Sequence, residues 1–216
     1  MQFWPLVLDL AKGLLVSAEI FALTLLFALP LGLPIAFGRM SKWGLVRLVS
    51  RVYVSVMRGT PLMLQLFFFY FGPYYAFRIP LHPGYRFAAC IIAFSLNYAA
   101  YFAEIYRAGI ESIPVGQHEA AKMLGFTRAQ TIFRIVMPQV VKRILPPVTN
   151  EVITLVKDTS LAFTLSVMEM FTVAKMAASA HTTMVPFVVA GAFYYVFNFA
   201  VAWTMERVEK ALDYYR

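Results

Sequence analysis

The sequence predicts an all-α integral membrane protein, and three observations carry that prediction. Hydrophobic residues fill 61% of the 216 positions, and the mean hydropathy is +0.69, where soluble domains hold roughly 45–50% apolar residues. Five apolar segments approach or exceed the ~20 residues that a helix needs to cross a bilayer. Their apolar runs are continuous and lack the period-two alternation of a membrane β-barrel. The fold class is therefore a bundle of five transmembrane helices, read as a single domain over residues 1–216.

The first segment, 13–37, contains Pro30 and Pro34, which are expected to kink or interrupt it because proline removes an amide donor and crowds the preceding turn. In the following loop, Leu45, Val49, Val52 and Val56 recur at helical spacing beside a second stripe of Arg47, Arg51, Ser55 and Arg58. Two readings fit: an interfacial amphipathic helix, or an extension of a neighbouring span with basic anchors. The second and third segments are 60–77 and 87–106, the latter with Asn97 in its middle.

A long polar connection follows, about 111–138. Pro114 suits the first turn of a helix and Gly125 the left-handed position that closes one. Thr127 with Gln130 makes a capping box, starting a second short helix through Ile135, Val136 and Met137 before Pro138. The pattern is helix, glycine corner, helix: either a docking elbow or a plain connector. The fourth segment, 144–173, opens on Pro146 and Pro147 and is expected to be the most broken; the fifth is 184–205.

Charge placement gives an orientation. Arg39, Lys42, Arg47, Arg51 and Arg58 follow segment one, Arg107, Lys122, Arg128, Arg134, Lys142 and Arg143 follow segment three, and Arg207, Lys210 and Arg216 follow segment five. These share one side, leaving Lys12, Arg78, Arg86 and Lys175 on the other, so the amino terminus is expected outside and the carboxyl terminus in the cytoplasm. The net charge of +8 is thus a topology signal, since nucleic-acid binding needs basic residues gathered on one soluble surface. No basic n-region or small-x-small site marks a removable signal peptide near the start. Cys90 is the single cysteine, which excludes an intrachain disulfide, and His82, His118 and His181 have no metal-ligand spacing. No phosphate loop of the form G-x-x-x-x-G-K-[ST] occurs.

Glu151, Lys157 and Asp158 interrupt the fourth segment. A charged group at the bilayer centre costs roughly 2.5–3.5 kcal/mol on insertion scales, so such groups usually face a bundle interior or a polar pathway. Glu151 and Asp158 are seven apart, which places them on one helix face two turns, roughly 10 Å, apart, while Lys157 points elsewhere and reads as structural. The two carboxylates suit a substrate ammonium; the alternative is pairing with Arg or Lys of a neighbouring helix or with Lys157 of a partner subunit. Asn97 can donate and accept, which suits an amino acid's polar groups and equally suits helix–helix glue.

Four stretches resemble one known family. Glu119-Ala120-Ala121, Gly125 and Ile135-Val136-Met137-Pro138 resemble the EAA loop of permease subunits in ATP-binding-cassette (ABC) importers. Arg58-Gly59-Thr60-Pro61-Leu62-Met63-Leu64-Gln65-Leu66 resembles the signature of the polar amino-acid branch, the HisM/HisQ type. Lys157-Asp158-Thr159-Ser160-Leu161, and Asn97 to Arg107 with Ala108-Gly109-Ile110, complete a match over essentially the whole chain. Ser55 departs from it, because many relatives carry glutamate there.

That resemblance implies a type I ABC importer permease without its own nucleotide site or catalytic residues. It implies a second permease subunit, identical or related, two ATPase subunits that bind ATP and Mg, and an extracellular amino-acid-binding protein. Glu119 would make polar contact with the ATPase, Ala120 and Ala121 would permit close approach, and Gly125 would set the corner. Asn97 and Glu151 would lie near the substrate cavity; Thr60 and Gln65 would face the pathway or serve helix contacts, and Asp158 stands between pocket and structural pairing. Two rivals differ in kind. In a gradient-driven carrier or channel the span-four charges would relay ions, but it has no need of the elbow; a structural or signalling subunit would transport nothing.

Overall fold

The computed structural model describes residues 3–212, so Arg216 lies outside the described residues. Within them the chain is helical: α1 Phe3–Arg39, α2 Gly44–Gly59, α3 Leu62–Phe77, α4 Tyr85–Glu111, α5 Val115–Met123, α6 Arg128–Gln130, α7 Met137–Asp158, α8 Met170–His181 and α9 Val185–Leu212. A π-helical turn, Thr131–Val136, joins α6 to α7, and a 3₁₀ turn, Thr159–Leu165, follows α7.

Three helices, α1, α4 and α9, are long and apolar enough to cross a membrane alone. Two bent pairs bring the number to five: α2 with α3, turned by 112°, and Arg128–Leu165 with α8, turned by 57°. Alone, the 16 residues of α3 reach only about 24 Å, short of the ~30 Å hydrocarbon core. The 112° turn rules out α2 as a straight extension of the next span.

The core is the seam between α1 and α4. Small residues recur along the buried face of α1, at Gly13, Ser17, Ala28, Gly32 and Ala36, and α4 buries Ala99, Ala100 and Ala103 in turn. Small residues let membrane helices approach closely and gain dispersion contacts, the main attraction where lipid is as apolar as the side chains. A Cβ on Gly32 would lie 3.0 Å from Phe102 Cβ, and one on Gly13 would lie 2.7 Å from Met170 Cα. Gly13 thus admits the start of α8 against α1. By contrast α9 buries only Pro186 and Ala190 and exposes Val188, Tyr195, Val196, Phe199 and Trp203.

The prolines do not interrupt their helices. α1 runs through Pro30 and Pro34, and α7 runs through Pro146 and Pro147. Breaking the helix would expose backbone groups that lipid cannot satisfy, and neighbouring helices help re-satisfy those that proline frees. The fourth segment breaks later, where the 3₁₀ turn ends at Ser166 in the left-handed region (φ 56°). The second elbow helix also does not stop before Pro138, which sits in the first turn of α7. The π-helical turn absorbs it: the Met137 amide reaches back five residues to the Ile132 carbonyl, so the chain widens just where proline cannot donate.

Candidate substrate cleft and elbow

A cleft of about 400 Å³ opens between α4, α7 and the end of α2, with Arg58, Tyr101, Glu104, Ser112, Arg143 and Glu151 on its walls. Arg58 enters it because α2 ends at Gly59; its guanidinium lies over the Tyr101 ring, 5.1 Å from the centroid. Glu104 is already held by Arg39 at 3.3 Å and by Arg107 at 2.5 Å. Arg143 donates to the Ser112 carbonyl and, at 2.9 Å, to its hydroxyl. The Glu151 carboxylate, half-buried, faces the Arg58 charge across the cleft.

Of the sequence-predicted pathway residues, Glu151 alone lies on this cleft. Asn97, only 4% exposed, spends both amide hydrogens within the chain, donating to the Met57 carbonyl at 2.9 Å and to Gln65 Oε1 at 3.0 Å. Gln65 in turn donates to the Met57 carbonyl at 2.9 Å and to the Thr60 carbonyl and hydroxyl at 3.2 and 2.8 Å. Tyr53 adds a bond from its hydroxyl to the Leu96 carbonyl at 2.6 Å. Asn97, Gln65 and Thr60 therefore form one clamp on the α2–α3 corner, satisfying carbonyls that the end of α2 leaves without helical partners. Polar glue between helices is their observed use.

Among the described residues Asp158 makes no ion pair and accepts from the Tyr98 hydroxyl at 2.7 Å. Lys157, next to it, is exposed. Since α7 is unbroken to Asp158, Glu151 and Asp158 do share a helix face, turned toward α4.

A second carboxylate, unmarked by the sequence reading, is more deeply set. Glu169 is 0% exposed and caps α8, accepting from the Phe171 and Thr172 amides at 2.7 Å each and from the Thr172 hydroxyl at 2.8 Å. It also accepts from Tyr194 of α9 at 3.1 Å and from Ser17 of α1 at 3.4 Å. One side chain thus ties α1, α8 and α9 at the point where the fourth span breaks. Its local signal was an acid three residues ahead of Thr172 at the head of an apolar run.

At the elbow, α5 closes on Gly125, whose φ of 77° is left-handed. The Phe126 amide bonds to the Ala121 carbonyl and the Gly125 amide to the Lys122 carbonyl, both at 3.0 Å, the paired bonds of a Schellman turn. The capping box is present: the Gln130 amide donates to Thr127 Oγ1 at 3.3 Å, and the Thr127 amide to Gln130 Oε1 at 2.9 Å. Glu119 and Ala120 face outward. Ala121 does not: at 1% exposure its small size serves packing inside the chain. The outward surface instead includes Val115, Met123, Leu124 and Phe133, each at least 70% exposed.

The model of the family described as binding-protein-dependent transport system inner membrane component matches residues 28–214. The chain belongs to this family. Among relatives of the permease, the L-cystine transport system permease protein TcyB of Bacillus subtilis (strain 168) is 40% identical over 217 residues, covering 99% of this chain and 89% of the relative. The octopine transport system permease protein OccM of Rhizobium radiobacter is 40% identical over 221 residues, covering 97% and 88%. A chain of an amino acid ABC transporter crystallised with histidines superposes with a TM-score of 0.86 at 30% identity, over 98% of this chain and 99% of that one. The permease is an inner-membrane, all-helical ABC-transporter subunit of the importer type, as the four sequence stretches imply.

Proposed function

We propose that this permease carries a polar amino acid inward across the membrane as a single domain, with the elbow at about 111–138 coupling it to ATP hydrolysis. It works beside a second permease subunit, identical or related. Two ATPase subunits bind ATP and Mg, an extracellular amino-acid-binding protein delivers the cargo, and lipid surrounds the apolar faces that α9 exposes. The amino terminus faces outside and the carboxyl terminus the cytoplasm, following the basic loops.

The observation that carries the substrate reading is Glu151, a carboxylate on a cleft of about 400 Å³ in a chain whose relatives are named for amino-acid transport. That volume falls in the ~300–1,000 Å³ range of small-molecule sites. Glu151 receives the substrate ammonium, because opposite charge offsets the desolvation of both groups. Asp158, held by Tyr98, sets the electrostatic wall behind it, while Asn97, Gln65 and Thr60 fix the corner that presents Arg58. At the elbow, Glu119 and Ala120 meet the ATPase, with Ala121 and Gly125 holding the shape that presents them.

Reconstituting the permease with its ATPase and delivery protein, and measuring ATP-dependent uptake of a panel of amino acids, tests the proposal. Uptake of at least one polar amino acid, lost in Glu151→Gln, is expected. No uptake of any amino acid would overturn the substrate class, and ATP-independent uptake would return the gradient-driven carrier.

A further inference from the structure

Arg58 and Glu151 stand out as the two opposite charges of the cleft that make no hydrogen bond or close ion pair among the described residues, whereas Glu104 and Arg143 are engaged elsewhere. We infer that Arg58 is the specificity-determining anchor for the carboxylate of the transported amino acid, acting opposite Glu151, so that the cleft selects ligands carrying both charges. The inference rests on the amino-acid reading above and adds to it which residue reads the acid end.

The geometry supports that role in three ways. The guanidinium is positioned, because it lies over Tyr101 at 5.1 Å at the end of a helix clamped by Asn97, Gln65 and Tyr53. Its donors stay open, and a planar guanidinium pairs a carboxylate through two parallel bonds. A cation and an anion on one cleft, Arg58 exposed and Glu151 half-buried, also give a ligand carrying both charges two complementary contacts where a ligand lacking one charge makes only one. A simple amine or an esterified amino acid strands Arg58; a simple carboxylic acid strands Glu151.

The test uses the permease–ATPase complex in lipid nanodiscs without the delivery protein, so that discrimination comes from the membrane subunits. The probes are radiolabelled L-amino acids, L-cystine included, chosen as those the uptake panel identifies, with the methyl ester of each as competitor. Wild type is expected to prefer the free acid over its ester by at least about tenfold, equivalent to ~1.4 kcal/mol. Arg58→Gln is expected to lose most of that preference, and Arg58→Lys, which keeps the charge, to recover part of it. Elution of each variant as an assembled complex shows that it has folded; should Arg58→Gln fail to assemble, the Arg58→Lys comparison decides, with an unchanged preference counting against bidentate recognition. Equal preference in wild type and Arg58→Gln overturns the Arg58 role while leaving amino-acid transport standing. No binding of any amino acid by wild type in the nanodiscs overturns the Arg58 role, and no uptake of any amino acid in the full reconstitution with the delivery protein overturns the amino-acid reading as well.

Discussion

Glu169 shows what a single side chain does in a membrane core. A carboxylate with no exposure is tolerated because its oxygens gather five donors from three helices. Glu169→Ala removes a helix cap, worth about 0.5–2 kcal/mol, and strands buried donors at a cost of roughly 1–3 kcal/mol each. Glu169→Gln keeps one carbonyl acceptor. The expected order of thermal unfolding midpoints in detergent is wild type, then Gln, then Ala; an Ala variant as stable as wild type would contradict the junction. Gly13 offers a matched steric test. Gly13→Ala places a methyl 2.7 Å from Met170 Cα, while Gly191→Ala meets nothing within 4 Å, so the first should lower the midpoint by several degrees and the second leave it within a degree or two.

Among elements, what could be read in the sequence depended on whether the deciding contact was local. The elbow was legible because Gly125 needs only its own left-handed backbone, and Thr127 caps only Gln130. The α2–α3 corner was not, because residues about 30 to 40 positions away hold it: Asn97 reaches Met57 and Gln65. Proline misled for the same reason, since helical packing kept Pro146 and Pro147 inside α7 while Glu169, tied by Ser17 and Tyr194, marked the true break. In the cleft, Glu151 was legible as an isolated charge in an apolar span, whereas Arg58 was hidden among the basic residues of its own helix, and only its place over Tyr101 of α4 sets it on the cleft wall. The elbow yields a graded prediction. A Cβ at Gly125 would meet nothing within 4 Å, so substitution acts through backbone strain alone. A non-glycine residue in that region costs roughly 1–2 kcal/mol, with Asn tolerated best. ATP-dependent uptake and co-purification of the ATPase should fall in the order Gly, Asn, Ala, Val at position 125, and a Val variant that couples normally would show that the corner does not govern docking.

The whole molecule is organised by two unequal surfaces: a seam of small residues that packs α1 on α4, and an apolar exterior, widest on α9, left for lipid or another subunit. An odd number of spans puts the termini on opposite sides, so a single labelling experiment fixes the orientation of the entire chain. Cys90 is fully buried and is replaced by alanine to give a silent background. Arg78, at the end of α3, and Arg128, in the elbow, are both exposed and lie on opposite sides in the proposed topology. In intact cells a membrane-impermeant maleimide should label Arg78→Cys and spare Arg128→Cys until the membrane is permeabilised. The reverse pattern would place the elbow outside, where no ATPase could reach it, and would remove the coupling proposal together with the orientation. Labelling of both sites in intact cells would contradict the five-span path instead, because α4 is the one span between Arg78 and Arg128, and the two could share a face only if α4 did not cross.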